Sequence, residues 1–188
     1  MNHRFPNASR VPRALGAILL TLLPVGCAGE ALFPALDVVD DVDLARYAGT
    51  WYEIAKYPVS FEEGCFGVTA TYTVRYDGRV GVLNTCREGA LDGPVRTIEG
   101  FAEVADPATN AKLTVYFFYP FGAPYWILEL DPDYQWAVIG EPSRSYLWIL
   151  SRTPTLDDAT YDSILSRLPE KGYDPTRLES MPQPPGPL

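Results

Sequence analysis

Residues 68–86 read Val-Thr-Ala-Thr-Tyr-Thr-Val-Arg-Tyr-Asp-Gly-Arg-Val-Gly-Val-Leu-Asn-Thr-Cys, and this stretch decides the fold class. Its first half, Val68–Arg75, alternates β-forming side chains with threonines, a period of two that is typical of a strand. Asp77-Gly78 is a strong signal for a tight hairpin turn. Val80–Cys86 then predicts the returning strand, so the stretch is predicted to be an antiparallel hairpin.

Strand patterns continue on both sides of this hairpin. Further strands are predicted at residues 48–56, 96–104, 112–119, 125–130, 136–140 and 146–151, with loops at 58–64 and 120–124. Eight strands with short connections predict an all-β fold, an eight-stranded antiparallel up-and-down β-barrel. Apolar residues then recur at helical spacing from Thr155 to Leu168, and Gly172 follows, which predicts an α-helix packed on the outside of the barrel.

These patterns give the domain boundaries. We assign residues 44–181 to the barrel domain and residues 27–43 to a leader with little periodicity. Residues 182–188 are rich in proline, and we expect a disordered tail there.

Charge and composition exclude several classes of function. The chain has 188 residues and a formal net charge of −9. Its first 26 residues contain three arginines and no acidic residue, so without them the net charge is about −12. Such a surface repels phosphates, so nucleic acid is not an expected partner. The single histidine, His3, lies in the same segment. The rest of the chain has no imidazole base, and we expect neither catalysis nor a cofactor.

The N-terminal segment has the pattern of an export signal. Residues 1–26 begin with arginines and continue with a short apolar run, Ala14–Val25. This run is shorter than the roughly 20 apolar residues of a transmembrane helix. Residues 22–27 read Leu-Leu-Pro-Val-Gly-Cys, which resembles a bacterial lipobox, although Pro24 stands where that pattern prefers leucine. Cleavage after Ala28 by ordinary signal peptidase is the alternative.

Acylation of Cys27 would tether the protein to a membrane. Ala28, directly after the cysteine, resembles lipoproteins that are sorted to the outer membrane. We therefore expect an outer-membrane lipoprotein whose domain faces the periplasm. The alternative is an unanchored periplasmic or secreted protein.

The cysteine count agrees with export. There are three cysteines, and assigning Cys27 to lipid leaves Cys65 and Cys86 in an oxidising compartment. A disulfide between them would close a loop of 22 residues, worth ~3 kcal/mol in the chain-entropy model. The alternative is two unpaired small core residues. No set of metal ligands surrounds them, so no metal site is expected.

Three motifs, in order, resemble those of the lipocalin family. Gly49-Thr50-Trp51 matches the Gly-x-Trp of the first strand, and Asp131–Tyr134 resembles the motif at a turn between late strands. Ser151-Arg152 follows Tyr-Leu-Trp-Ile-Leu and resembles the third motif, in which an arginine ends the last strand. The resemblance covers about residues 40–180 and is especially strong to bacterial members of the family.

The resemblance implies a structural role for the motif residues Gly49, Trp51, Asp131, Tyr134 and Arg152. The family's tryptophan plugs the closed end of the barrel and its arginine lies across it. Trp51 and Arg152 fit that pairing, a cation–π contact of ~1–2 kcal/mol when partly desolvated.

The inward residues decide whether the barrel is hollow. An eight-stranded barrel either encloses one small ligand or fills with side chains. Bulky inward residues alternate with small ones such as Ala70, Gly100 and Ala102, which predicts an apolar cavity open at one end. The ligand-binding wall is predicted to comprise Tyr72, Val82, Phe117, Trp126, Leu128, Trp136, Val138 and Trp148, with Phe118 and Phe121 as an apolar rim. A structural or partner-binding barrel with a filled core is the alternative.

Glu53 shares a face with Trp51 and is therefore expected to point inward. A carboxyl group inside an apolar barrel needs a partner or a proton. Glu53 thus either contacts a polar head group or is turned outward by a bulge. The expected function is to bind and store or transport a fatty acid, lysophospholipid or similar lipid for maintenance of the cell envelope. We expect a monomer or a weak homodimer.

Overall fold

Eight antiparallel strands form a closed barrel, as the sequence predicts. The strands are β1 (Gly49–Lys56), β2 (Cys65–Val74), β3 (Val80–Glu88), β4 (Val95–Val104), β5 (Lys112–Phe118), β6 (Phe121–Leu130), β7 (Trp136–Gly140) and β8 (Leu147–Ser151). Each strand pairs with the next along the chain, and β1 pairs with both β2 and β8, which closes the circle. The computed structural model describes Met1, Phe33 and residues 35–185, so Cys27 and most of the predicted export segment lie outside the described residues.

A short helix lies at the start of the domain. Helix α1 (Leu44–Tyr47) is capped by Asp43, whose side chain accepts hydrogen bonds from the backbone N–H groups of Ala45 and Arg46 at 2.8 and 3.2 Å. Val42, just before it, is fully buried, and its N–H donates to the Thr109 carbonyl at 2.9 Å. The last part of the predicted leader therefore packs into the domain.

The predicted outer helix is confirmed as α2 (Asp158–Arg167). It begins three residues later than Thr155 because Asp157 is the N-cap and accepts from the Thr160 N–H at 2.9 Å. Ile164 and the following Leu168 are fully buried against the outer face of the barrel. In the part of the chain that the structure describes, no helix is both long enough and apolar enough to span a membrane.

The hairpin between β5 and β6 is longer than predicted. Residues 120–124 are predicted as a loop, yet Phe121 to Pro124 belong to β6. The prediction is wrong because Tyr119 and Pro120 alone make the turn, and pairing resumes at once between Phe118 and Phe121.

The C-terminal segment fills a gap between β1 and β2. These strands pair only from Gly49 to Tyr52, and the two-residue strand β9 (Glu179–Ser180) pairs with the remaining end of β1. The Gln183 side-chain amide then bridges the separated strands, because it donates to the carbonyls of Glu53 at 2.7 Å and Val68 at 2.8 Å. The expectation of a disordered tail is therefore wrong for Gln183.

Candidate ligand-binding site

The closed end of the barrel is plugged by Trp51 beneath Arg152. Trp51 is fully buried, and the Arg152 guanidinium carbon lies 3.8 Å from the centre of its ring. The guanidinium also donates to the carbonyls of Arg46, Tyr47, Ala48, Thr50 and Tyr134 at 2.8–3.2 Å. Three of these carbonyls end α1, where a helix has no internal donors left. Both residues therefore hold the closed end together.

Gly49 is required by the same arrangement. Its φ of +97° favours glycine, and a Cβ there would lie 3.2 Å from Arg152 Nη1. The remaining motif residues shape the neighbouring turn: Asp131 accepts from the N–H groups of Asp133 and Gln135 at 3.0 and 3.1 Å. The hydroxyl of Tyr134 accepts from the Asp43 N–H at 2.9 Å, which ties this turn to the cap of α1.

Three tyrosine hydroxyls form the floor above the plug. Tyr72 donates to Tyr125 at 2.8 Å, and the hydroxyls of Tyr125 and Tyr47 lie 2.7 Å apart. Burial raises the pKa of all three phenols above the usual value, so they are neutral at physiological pH. The alternation in β6 that predicts an inward Trp126 places Tyr125 on the outward face. The sequence therefore gives no signal for Tyr125 in the floor.

A cavity extends from this floor to the open end of the barrel. Its inner chamber has a volume of about 110 Å³ and its outer part, the mouth, about 560 Å³. The two share lining residues, among them Phe61, Phe117 and Val115. The mouth is bordered by Phe118 and Phe121, which are 72% and 81% exposed at the positions predicted for an apolar rim. The barrel is therefore hollow and open at one end.

The structure brings four of the eight predicted wall residues to this cavity. Tyr72, Val82, Phe117 and Trp148 line the inner chamber. Their role in binding a ligand stays a prediction. Trp148 lies inside because β8 directs Trp148 and Leu150 inward, whereas Leu147 and Ile149 face the helix.

The predicted inward orientation of the other four wall residues is wrong. Trp126, Leu128, Trp136 and Val138 lie on the outer face of β6 and β7, in the apolar cluster covered by α2. The charge of Glu129 predicts a face exposed to solvent, which would direct its neighbours Leu128 and Leu130 inward. Glu129 instead lies beneath the helix and accepts from Arg167 Nε at 3.0 Å and Nη2 at 2.6 Å.

A bulge explains why alternation failed in β6. The register with β7 shifts between Ile127 and Glu129, so Leu128 and Glu129 both lie on the outer side. Ile127 is consequently an interior residue, and its partner Ile139 in β7 lies inside with it. Alternation along the sequence carries no signal for such an extra residue.

A polar cluster interrupts the apolar wall of the inner chamber. Glu53 is only 3% exposed and points inward, because the bulge in β1 comes after it, between Glu53 and Ala55. Glu62, from the loop over the barrel end, reaches the same chamber and pairs with Lys56, the Nζ–Oε2 distance being 3.4 Å. The sequence gives no signal for Glu62, because an acidic residue in a loop is ordinarily exposed to solvent.

Burial favours the protonated form of the carboxyl groups in this cluster. Desolvation raises the pKa of Glu53 well above its usual value, and the charge of Glu62 and a hydrogen bond to it raise it further, although Lys56 opposes them. Burial also raises the pKa of Glu62. Burial therefore favours the neutral form of Glu53, while Glu62 pairs with Lys56.

The predicted disulfide is confirmed between Cys65 and Cys86, whose Cα atoms are 5.5 Å apart. It joins the start of β2 to the end of β3, at the open end of their hairpin, and lines the mouth. Over residues 35–185, Met1 and Phe33, no group of three or more acidic, cysteine or histidine residues is arranged to hold a metal ion.

Known proteins of similar sequence are lipocalins. A family model described as a lipocalin-like domain matches residues 42–183. The chain is 44% identical over 157 residues to temperature-induced lipocalin-1 of Arabidopsis thaliana, covering 79% of this chain and 83% of the relative. It is 38% identical over 170 residues to the outer membrane lipoprotein Blc of Escherichia coli K12, covering 90% and 96%.

A solved structure agrees with the fold. Insecticyanin of the tobacco hornworm Manduca sexta superposes with a TM-score of 0.66 at 22% identity, covering 81% of this chain and 87% of that one.

Proposed function

Since the chain belongs to the lipocalin-like family, we propose that it binds a small hydrophobic or amphiphilic ligand in the barrel cavity and carries it within the cell envelope. The observation that carries the proposal is the mouth of about 560 Å³, with lining residues that include Phe61, Phe117 and Phe121. Ligand sites of small molecules span roughly 300–1,000 Å³ and are mainly apolar. The plug at Trp51 leaves the opposite end as the route of entry.

Ligand binding is tested with the protein purified without detergent. Organic extracts of the folded protein are analysed by mass spectrometry, and the extracted protein is then titrated with N-phenyl-1-naphthylamine, an uncharged apolar fluorophore. We expect a copurified lipid and saturable fluorescence enhancement. A Val115→Arg variant, which places a charge in the wall shared by chamber and mouth, should lose the enhancement while keeping its circular dichroism spectrum. The proposal fails if the folded protein yields no lipid and the fluorophore does not bind.

We also propose that Cys27 is acylated and anchors the protein in the outer membrane. Support comes from the lipobox-like residues 22–27 and from the printed name of the Escherichia coli relative, an outer membrane lipoprotein. Mass spectrometry of the mature N-terminus tests this, with Cys27→Ser as the control that cannot be acylated. A mature chain beginning after Ala28 would identify the unanchored carrier instead.

A further inference from the structure

The inner chamber contains hydrogen-bond acceptors that have no donor. Glu53 Oε1 and Asn84 Oδ1 are buried and without a hydrogen-bond partner, and both residues line the chamber. Glu62 Oε2 is a third acceptor: it is ion-paired at 3.4 Å with Lys56 Nζ, but this oxygen has no hydrogen-bond partner. Buried acceptors are rarely left unpaired in folded proteins, so an unpaired group within a cavity indicates what the cavity takes up.

The charges around the chamber also disfavour an anionic ligand. Glu62 and Lys56 neutralise each other, and Glu53 adds a second carboxyl group rather than a second cation. The hydroxyls of Tyr72 and Tyr125 at the floor bond to each other. A carboxylate or phosphate entering here would meet acceptor oxygens and the negative Glu62, so an anionic head group is disfavoured.

The position of Glu53 sets the expected direction of the ligand in the cavity. Glu53 lines only the chamber of about 110 Å³, whereas Glu62 and Asn84 line both the chamber and the mouth of about 560 Å³. Arg96 and Thr97 also lie in the mouth, among its aromatic and aliphatic side chains. The smaller chamber, with the unpaired Glu53 oxygen, fits a compact head group, and the larger mouth, which has the greater apolar lining, fits a hydrocarbon chain. An amphiphile satisfies both only if its head lies deepest.

We propose that the inner chamber is a head-group site for amphiphiles whose polar end donates hydrogen bonds, such as a primary ammonium or a hydroxyl group, and that these ligands enter head first. This inference rests on the proposed function, because it names the ligand class of the same cavity. Glu53 Oε1 and Asn84 Oδ1 accept from the head, and the chain lies in the mouth against Phe117 and the exposed rim.

The test compares four ligands with the same ten-carbon chain. Decylamine and decanol carry donors, decyltrimethylammonium has the positive charge without an N–H, and decanoate is anionic. Each is measured at pH 7 by displacement of N-phenyl-1-naphthylamine from the full-length protein. We expect decylamine and decanol to bind at least about tenfold more tightly than the other two.

Variants connect this preference to the chamber. Glu53→Leu removes the acceptor and should reduce the preference to about twofold or less. Glu63→Gln is the matched control, because Glu63 is an exposed carboxylate one residue from Glu62 and does not line the chamber. It should leave all four affinities unchanged. Circular dichroism and thermal unfolding establish that each variant is folded.

The outcomes separate this inference from the proposed function. Fluorophore binding with decanoate as tight as decylamine would overturn the head-group assignment, because Lys56 would then be the partner. Equal displacement by all four ligands would overturn it as well, while leaving a hydrophobic cavity in place. A wild-type protein that does not bind the fluorophore at all would refute the proposed function itself.

Discussion

The Arg152 guanidinium lies 3.8 Å from the centre of the Trp51 ring while its N–H groups donate to five backbone carbonyls. One side chain thereby joins the end of α1, the start of β1 and the turn at Tyr134. Since Trp51 Nε1 also donates to the Tyr47 carbonyl at 2.8 Å, the indole is fixed from both sides. The three tyrosines of the floor lie above this plug, and the Tyr47 ring packs against Trp51 at a centroid distance of 4.9 Å.

Arg152→Lys should therefore destabilise the protein even though it keeps the charge. Lysine cannot serve five carbonyls spread over three segments, and it loses the flat stacking of guanidinium on indole. We expect the free energy of unfolding to fall by about 2–4 kcal/mol in urea denaturation. The matched control is Arg79→Lys, at an exposed arginine 4.6 Å from the Phe101 ring. That change should cost under about 1 kcal/mol, and equal losses in the two variants would contradict the assignment.

Glu53→Gln should make the protein less sensitive to alkaline pH. The pKa of Glu53 is raised in the folded state, so the folded protein binds more protons than the unfolded chain between the ordinary carboxyl pKa of 4.5 and the folded value. Wild-type stability is therefore highest below that window and falls as pH rises through it. Glutamine does not titrate, and it keeps the size and one acceptor oxygen.

The measurement is urea unfolding of both proteins at about pH 5 and about pH 8. We expect the stability of Glu53→Gln relative to wild type to increase from the lower to the higher pH. Glu63→Gln, in the same region but exposed, should show no such change. A relative stability of Glu53→Gln that is constant over this range would show that Glu53 ionises normally.

Two tryptophans distinguish the inside of the barrel from its outer face. Trp148 lines the inner chamber, whereas Trp126 packs in the cluster beneath α2, with Lys112 Nζ 4.6 Å from its ring centre. Trp148→Ala should weaken the binding of N-phenyl-1-naphthylamine by about tenfold, because it removes a ring that lines the chamber. Trp126→Ala should leave that affinity unchanged and lower the free energy of unfolding by about 1–3 kcal/mol. The reverse pattern in fluorophore titrations would mean that the face assignment in β6 is incorrect.

These two residues also show what the sequence could predict. Alternation and turn residues were sufficient for the barrel and the outer helix, because both depend on local patterning. The cysteine count pointed to the Cys65–Cys86 disulfide, and the resemblance of three motifs to a known family implied the Trp51–Arg152 plug. Alternation failed in β6, where a bulge after Ile127 reverses the faces. The charge of Glu129 predicts a solvent-facing residue, whereas the structure pairs it with Arg167 beneath α2. Tertiary contacts alone set that register.

Of the two carboxyl residues in the chamber, only Glu53 could be predicted from the sequence, for a similar reason. Glu53 stands out in the sequence because it shares a face with Trp51 in a strand. Glu62 comes from a loop, and its arrival beside Glu53 depends on how that loop folds over the barrel end. No periodicity describes such a loop, so the pair could be found only from the structure.

Gln183→Ala should loosen the junction between β1 and β2. The Gln183 amide donates to the carbonyls of Glu53 and Val68 across the gap where the two strands no longer pair. Two hydrogen bonds are lost in the variant, and we expect unfolding in urea to require about 1–3 kcal/mol less free energy. The amides of Gly67 and Met181, which donate to Pro182 and Ile54 at the same junction, should exchange with deuterium faster than in wild type. Gln135→Ala is the matched control, since that exposed glutamine donates only within its own turn, to Asp133 at 3.0 Å. If both variants unfold and exchange like wild type, the C-terminal segment does not close the barrel.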